Sequence, residues 1–147
     1  MNNLKTAYIV DIDGLLSDSE VRTEFEREVE NDDFEWFEDR IPNFPANRWA
    51  VELVRALARD HTILFITARS EKYRHNTVRW LKNHVGVSSY KLLMRHRKGD
   101  DIAIKKELYQ ASVEGRFRVL AAFDDRRCCI EMWRGFGIVA LHSTDNE

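Results

Sequence analysis

The sequence predicts an α/β fold in which five parallel strands form one sheet with helices packed on its faces. Three observations lead there. Short apolar runs alternate with longer amphipathic stretches, the pattern of successive strand–helix–strand crossovers. Polar residues able to do chemistry stand just past several of those runs. The chain has 147 residues, 44% hydrophobic and 33% charged, which suits one folded domain able to bury roughly two-thirds of its unfolded surface.

Ala7-Tyr8-Ile9-Val10 is a short apolar run ending at Asp11, expected as a central buried strand. A helix is expected from about Ala46 to Arg59, then a second strand over Thr62–Ile66. The stretch from Glu71 to His84 reads as a long helix that buries Tyr73, Val78, Trp80 and Leu81, with Gly86 as a C-cap. Tyr90–Met94 suggests a third strand near a sheet edge. Asp100 and Asp101 then fall where a helix N-cap is wanted, opening a helix to about Gln110. Phe117–Phe123 is the fourth strand, Arg127–Arg134 a helix, and Gly137–Leu141 the fifth strand.

The segment 17–45 does not follow this rhythm and is too long for a plain connection. Val21, Phe25 and Val29 recur every fourth residue, so about 18–30 is a helix candidate. Phe34, Trp36, Phe37, Ile41 and Phe44 follow among acids, closed by Pro42 and Pro45. We expect an insert over the mouth of a site, its aromatics packing on the body. It carries 11 Asp/Glu against 3 Lys/Arg, whereas residues 69–106 carry 11 Lys/Arg against 3 Asp/Glu. The acidic block would repel a polyanion and the basic block could hold one, although solvated helix faces give the same counts.

No apolar run approaches the ~20 residues that span a bilayer. The polar start leading directly into a strand lacks the apolar core of a signal peptide. No membrane association and a cytoplasmic location are therefore the expectation. Adjacent Cys128 and Cys129 have no other cysteine to pair with and read as reduced helix residues.

In an open parallel sheet, ligands bind beyond the carboxyl ends of the strands, where strand order reverses. Asp11, Asp13 and Gly14 follow the first strand, Thr67 and Arg69 the second, and Asp124, Asp125 and Arg126 the fourth. Lys105 or Lys106 lies in the helix before the fourth strand. Singly, each could be a cap or turn residue. Together they bring four carboxylates, a hydroxyl and a cation to one edge. Carboxylates so crowded repel one another unless a cation lies between them. Oxygen ligands without a Cys or His pair favour Mg²⁺ over Zn²⁺, and Mg²⁺ with few carboxylates usually also takes a phosphate.

In these segments the sequence resembles the haloacid-dehalogenase (HAD) phosphatases. Ile9-Val10-Asp11-Ile12-Asp13-Gly14 matches their strand followed by D-x-D-G, Phe65-Ile66-Thr67-Ala68-Arg69 their strand-terminal Ser or Thr, a lysine their third motif, and Phe123-Asp124-Asp125-Arg126 the fourth. Leu15 departs from the family's usual Thr or Val. A narrower resemblance, over roughly residues 60–141, is to the 3′-phosphatase domain of bacteriophage polynucleotide kinase/phosphatase. It rests on Asp101-Ile102-Ala103-Ile104-Lys105-Lys106-Glu107-Leu108-Tyr109 and on Phe123–Arg126 leading into Ile130-Glu131-Met132-Trp133-Arg134, and it selects Lys105. The segment 17–45 has no counterpart in it. A response-regulator receiver shares the fold class, but in it the Thr and Lys come late. Here Thr67 precedes Lys105 and the second acidic pair comes last.

The resemblance implies a HAD-like Rossmannoid three-layer α/β/α domain spanning 1–147, with 17–45 as a small cap-like insert. It implies Asp11 as nucleophile through an aspartyl-phosphate and Asp13 as general acid, then base. Mg²⁺ would be held by Asp11, the Asp13 backbone carbonyl and Asp124, with Asp125 in support. Thr67, Lys105, Arg69 and the Gly14 backbone would bind phosphate, and Arg126, Arg95 and Arg97 are candidates for holding substrate. The expected substrate is a phosphorylated nucleic-acid end, with a (deoxy)nucleotide monophosphate as the alternative and an inactive binding module as a minor one. No G-x-x-x-x-G-K-[ST] occurs, so 5′-phosphorylation is not expected of this chain alone, and a polynucleotide kinase or ligase is a candidate partner.

Overall fold

A computed structural model describes residues 3–18, 20, 23 and 38–144. Five strands, β1 (Lys5–Val10), β2 (Thr62–Ser70), β3 (Tyr90–Arg95), β4 (Phe117–Asp124) and β5 (Ala140–His142), form one sheet. Their order is β3-β2-β1-β4-β5 and every pairing is parallel. The chain thus builds outward from β1 to β2 and β3, then crosses to β4 and β5 on the other side. That reversal places a crevice between the carboxyl ends of β1 and β4.

Among the described residues, four helices cover the sheet: α1 (Arg48–Leu57), α2 (Arg74–His84), α3 (Asp101–Ser112) and α4 (Arg127–Gly135). The period-2 alternation of the strands sorts their side chains onto two faces. On one face Val10, Ile63 and Phe65 pack with Ala50, Val51 and Val54 of α1 and Trp80 and Leu81 of α2. On the other, Ala7, Ile9, Leu64 and Ile66 pack with Ile104 and Leu108 of α3 and Ile130 and Trp133 of α4. The result is the expected three-layer α/β/α arrangement, with β1 buried on both sides.

Element boundaries differ from the periodicity in instructive places. β2 continues to Ser70, with a register irregularity against β3 after Ile66, so Thr67 and Arg69 stand in its final irregular stretch. The helix expected from Glu71 begins as a 3₁₀ turn over Glu71–Tyr73, capped by the Ser70 hydroxyl accepting from Lys72 N–H. β5 is shorter and later than the apolar run 137–141, because Gly137 turns the chain with positive φ after α4. Cys128 and Cys129 are free thiols, the second buried.

Both ends of the segment 17–45 are fastened. Ser17 bridges antiparallel to Ala46, Asp18 N–H donates to Pro45 O at 3.1 Å, and Asn47 N–H donates to Leu16 O at 2.7 Å. Ile41 and Phe44 are buried in the α1/α2 core, and the Trp80 indole N–H donates to Phe44 O at 2.8 Å. Of the aromatics expected to pack on the body, Phe44 is the one among the described residues, and it does so. The helix expected over 18–30, and Phe34, Trp36 and Phe37, lie outside the described residues except at isolated positions.

Candidate active site

Asp11 is set by the sheet itself. It is the residue after β1, and its backbone N–H donates to Phe123 O of β4 at 3.1 Å. Asp124 ends β4, and its Oδ1 accepts the Arg126 backbone N–H at 3.1 Å. Lys105 reaches across from α3, whose start is fixed by the Asp100 carboxylate accepting from Ala103 N–H at 3.0 Å. The Lys105 ammonium donates to Asp11 Oδ1 at 2.9 Å and to Asp124 Oδ2 at 2.7 Å. Of the two neighbouring lysines, Lys105 is buried in the site and Lys106 is exposed.

The third buried carboxylate is Asp125. Asp11, Asp124 and Asp125 each offer an oxygen within 4.8 Å of the others'. Gly14 makes room for it: its φ is +91°, and a Cβ there would stand 2.1 Å from Asp125 Oδ2. Gly14 therefore backs the Asp125 carboxylate.

The electrostatics of this cluster are frustrated. Burial, and after it the charge of Asp124, pushes the Asp11 carboxyl well above the usual range although Lys105 pulls it down. Burial also opposes the Lys105 charge, but Asp11 and Asp124 outweigh it and raise the ammonium above the ordinary lysine value. Three buried carboxylates converge here and the Lys105 ammonium bridges two of them. A divalent cation among them would offset their mutual repulsion. An all-oxygen donor set suits a hard ion such as Mg²⁺, so Asp11, Asp124 and Asp125 fit the metal that the sequence implied.

Asp13 belongs to a second cluster. Arg69 is buried and turns its guanidinium edge to the Asp13 carboxylate: Nε donates to Oδ2 at 3.3 Å, and Nη2 makes a short bond to Oδ1. Arg69 Nη1 donates to the Thr77 hydroxyl at 3.0 Å, and the guanidinium lies over the Phe44 ring at 5.9 Å. Thr67 Oγ1 accepts the Arg69 backbone N–H at 3.1 Å, which leaves its own O–H to point elsewhere.

Asp11, Asp13, Thr67 and Lys105 line a cavity of about 20 Å³, with the partly exposed Asp101 and Arg126 at its rim. Such a space holds about one water. Arg126 Nη1 donates to Asp101 Oδ2 at 2.5 Å. Gly14 and Arg69 are not among the lining residues. Arg95 Nε donates to Ala68 O at 2.9 Å, beside Thr67. Arg97 is exposed and forks onto the Glu107 carboxylate, 2.9 Å from Nε to Oε2. Sequence reasoning took Asp101 as a helix cap. Its role at the rim was readable in one respect: an i, i+4 step puts Asp101 and Lys105 on the same face of α3.

Comparison with known proteins bears on the family and the fold. The family model of the polynucleotide kinase PNKP phosphatase domain matches residues 5–147. The chain is 31% identical over 112 residues to an inferred bifunctional polynucleotide kinase/RNA ligase of Autographa californica nuclear polyhedrosis virus, covering 74% of this chain and 16% of that protein. A chain of a Pnkp1/Rnl/Hen1 complex superposes with a TM-score of 0.76 at 24% identity, over 95% of this chain and 45% of that one. A haloacid dehalogenase-like hydrolase of Streptococcus pneumoniae superposes with a TM-score of 0.66 at 11% identity, over 97% of this chain and 85% of that one. At those identities the structural likeness speaks for the fold. The chain spans a minor part of the first two relatives. No helix among the described residues is long and apolar enough to cross a membrane.

Proposed function

The chain belongs to the polynucleotide kinase PNKP phosphatase-domain family and is a HAD-type phosphatase, and on that footing we propose that it is a Mg²⁺-dependent phosphomonoesterase that removes 3′-phosphates from polynucleotide ends. The observation that carries this reading is the buried set of Asp11, Asp124 and Asp125 bridged by Lys105 at the crevice between β1 and β4.

Asp11 attacks phosphorus and forms an aspartyl-phosphate while the bond to the 3′-oxygen breaks. Asp13, oriented by Arg69, takes up a proton from solvent and gives it to that departing oxygen. It then takes one from the water that attacks the phosphorus, and inorganic phosphate leaves with Asp11 regenerated. Thr67 and Lys105 donate to the non-bridging oxygens, where charge accumulates. Asp11, Asp124 and Asp125 would hold Mg²⁺, which when bound would supply charge neutralisation for the carboxylates and the phosphate. Arg126, at the rim, meets the nucleotide carrying the phosphate. The segment 17–45 acts as a cap whose neck is the Ser17–Ala46 bridge, and a polynucleotide kinase or ligase works alongside, as the relatives' names suggest.

One observation favours a smaller substrate. The neck of the acidic segment leaves the body directly after Asp13 and Gly14, so a bulky acidic insert there would disfavour a long strand and suit a (deoxy)nucleotide monophosphate. A comparison of a 3′-phosphorylated oligonucleotide with free 3′- and 5′-mononucleotides at two salt concentrations separates the readings. We expect preference for the oligonucleotide and slower turnover at higher salt; equal rates on all three, insensitive to salt, remove the polynucleotide claim. Asp11→Asn should abolish phosphate release from every substrate while leaving the fold intact, and an active variant would overturn the phosphatase mechanism.

A further inference from the structure

Beyond the end of β4 the chain turns through Asp124 and Asp125 into α4, and hydrogen bonds from Arg126, Ser143 and His142 help to hold that turn. Arg126 N–H donates to Asp124 Oδ1 at 3.1 Å. Ser143 N–H donates to Asp124 O at 3.0 Å. His142 Nε2 lies 2.9 Å from Asp125 O. The first two donors are backbone groups that nearly any residue would supply. The third comes from a side chain at the end of a three-residue edge strand, where Asp124 and His142 are register partners. A carbonyl oxygen can only accept, so Nε2 carries the hydrogen.

We infer that His142 is a positioning residue for the metal centre: by holding the Asp125 carbonyl it fixes the Asp125 peptide, and so keeps the Asp125 carboxylate against Gly14 and beside Asp11 and Asp124. The carbonyl and the carboxylate branch from the same Cα, so a peptide free to turn carries the carboxylate with it. Space on the Gly14 side is already closed, because Gly14 leaves no more than the room of a missing Cβ. The ligand is therefore confined from two directions, by an absent side chain on one loop and by an imidazole on another. β5, the short edge strand, thereby has a role in the site, since it brings His142 to the turn.

This inference rests on the reading of the acidic cluster as a metal centre, and the experiment keeps the two apart. Mn²⁺ binding to the full chain is measured by electron paramagnetic resonance for wild type, His142→Leu, His142→Ala and His142→Gln, with urea unfolding of each in a chelator as a control on folding. Leucine keeps much of the ring's bulk without a donor, and the glutamine amide restores an N–H at similar reach. Removing such an outer hydrogen bond typically weakens metal binding about 10–100-fold. We expect the Leu and Ala variants to bind Mn²⁺ at least about tenfold more weakly, and Gln to recover most of that loss. The apparent requirement for Mg²⁺ in turnover should rise in parallel, with kcat at saturating Mg²⁺ nearly unchanged. Wild-type Mn²⁺ affinity in whichever donor-free variant folds, or a Gln variant as weak as Leu, overturns the role of His142. A wild-type chain that binds no Mn²⁺ overturns the metal reading itself, and the inference with it.

Discussion

Gly14→Ala isolates the tightest packing in the site. Two costs arise, and they can be separated. The residue sits at φ +91°, where an L side chain costs ~1–2 kcal/mol. The new methyl would also stand 2.1 Å from Asp125 Oδ2 and 2.7 Å from its Cγ, and restoring a contact of 3.4 Å requires a retreat of 1.3 Å. Forcing bulk into a packed interior costs a further ~1–3 kcal/mol. Gly115 supplies the control, because its φ is +76° and a Cβ there meets nothing within 4 Å. Urea unfolding in the presence of a chelator should therefore give about 1–2 kcal/mol for Gly115→Ala and about 2–5 kcal/mol for Gly14→Ala. Function should divide them more sharply. Metal ligands tolerate displacements of about 0.2 Å, and misplacement by about 1 Å costs on the order of 10²-fold in rate. Gly14→Ala should lose metal binding and at least about 10²-fold in kcat/KM, while Gly115→Ala keeps both. Equal losses in the two variants would refute the argument, since backbone strain alone would then explain Gly14.

Lys105→Met should destabilise the metal-free chain by about 3–5 kcal/mol, because it leaves Asp11 and Asp124 buried without their cation; urea unfolding should show Mg²⁺ recovering part of the loss, and a variant as stable as wild type in chelator would contradict the pairing. Arg69→Lys keeps a charge but not the planar fork. If Arg69 orients Asp13 as the acid, the variant should lose about tenfold or more on alkyl phosphates, which need a proton for the leaving oxygen, and much less on p-nitrophenyl phosphate; equal losses on both would leave Arg69 a merely structural residue. Metal and pH are linked through Asp11. Its carboxyl is raised in the metal-free chain by burial and then by Asp124, so its contribution to stability is full below the unfolded value and is lost as pH rises through the folded one. Mg²⁺ competes with that proton, so the Mg²⁺-induced rise in Tm should be larger near pH 7.5 than near pH 5, and the reverse order would refute the linkage.

The layer order and the site's address were legible because both follow from local pattern. Strand runs ending at Val10, Ile66 and Phe123 place Asp11, Thr67 and Asp124 at one edge of the sheet, and parallel topology leaves little freedom in how they meet. What a run cannot show is where a long side chain ends. Arg69 sits two residues past Thr67 and was expected at phosphate, yet the irregular end of β2 carries it to Asp13 and Thr77. His142 is a further case. Nothing within Gly137–Leu141 hints that β5 ends one residue later, opposite Asp124, and without that register the imidazole has no reason to be near Asp125. Gly14 reads from the sequence as a source of backbone donors for phosphate, not as space kept for a carboxylate 111 positions away.

The charge count over residues 69–106 shows the same limit and bears on the substrate. Of the 11 basic residues there, Arg69 and Lys105 are buried against Asp13, Asp11 and Asp124, Arg74 and Arg97 fork onto Glu71 and Glu107, and Arg95 serves the Ala68 carbonyl. Basic residues left exposed, such as Arg79 on α2, Lys91 on β3, Lys98 before α3 and Lys106 on α3, are spread over different layers of the domain rather than one face, and the lysines among them act as point charges rather than geometric clamps. A single-stranded end touching one or two of them would lower log kcat/KM by about 0.7–1.4 per decade of salt. That slope is shallow beside those of proteins that grip a whole duplex. On the proposed reading, recognition of a terminal phosphate would accordingly fall to the buried cluster, and the scattered exposed cations would add only affinity for what trails behind it.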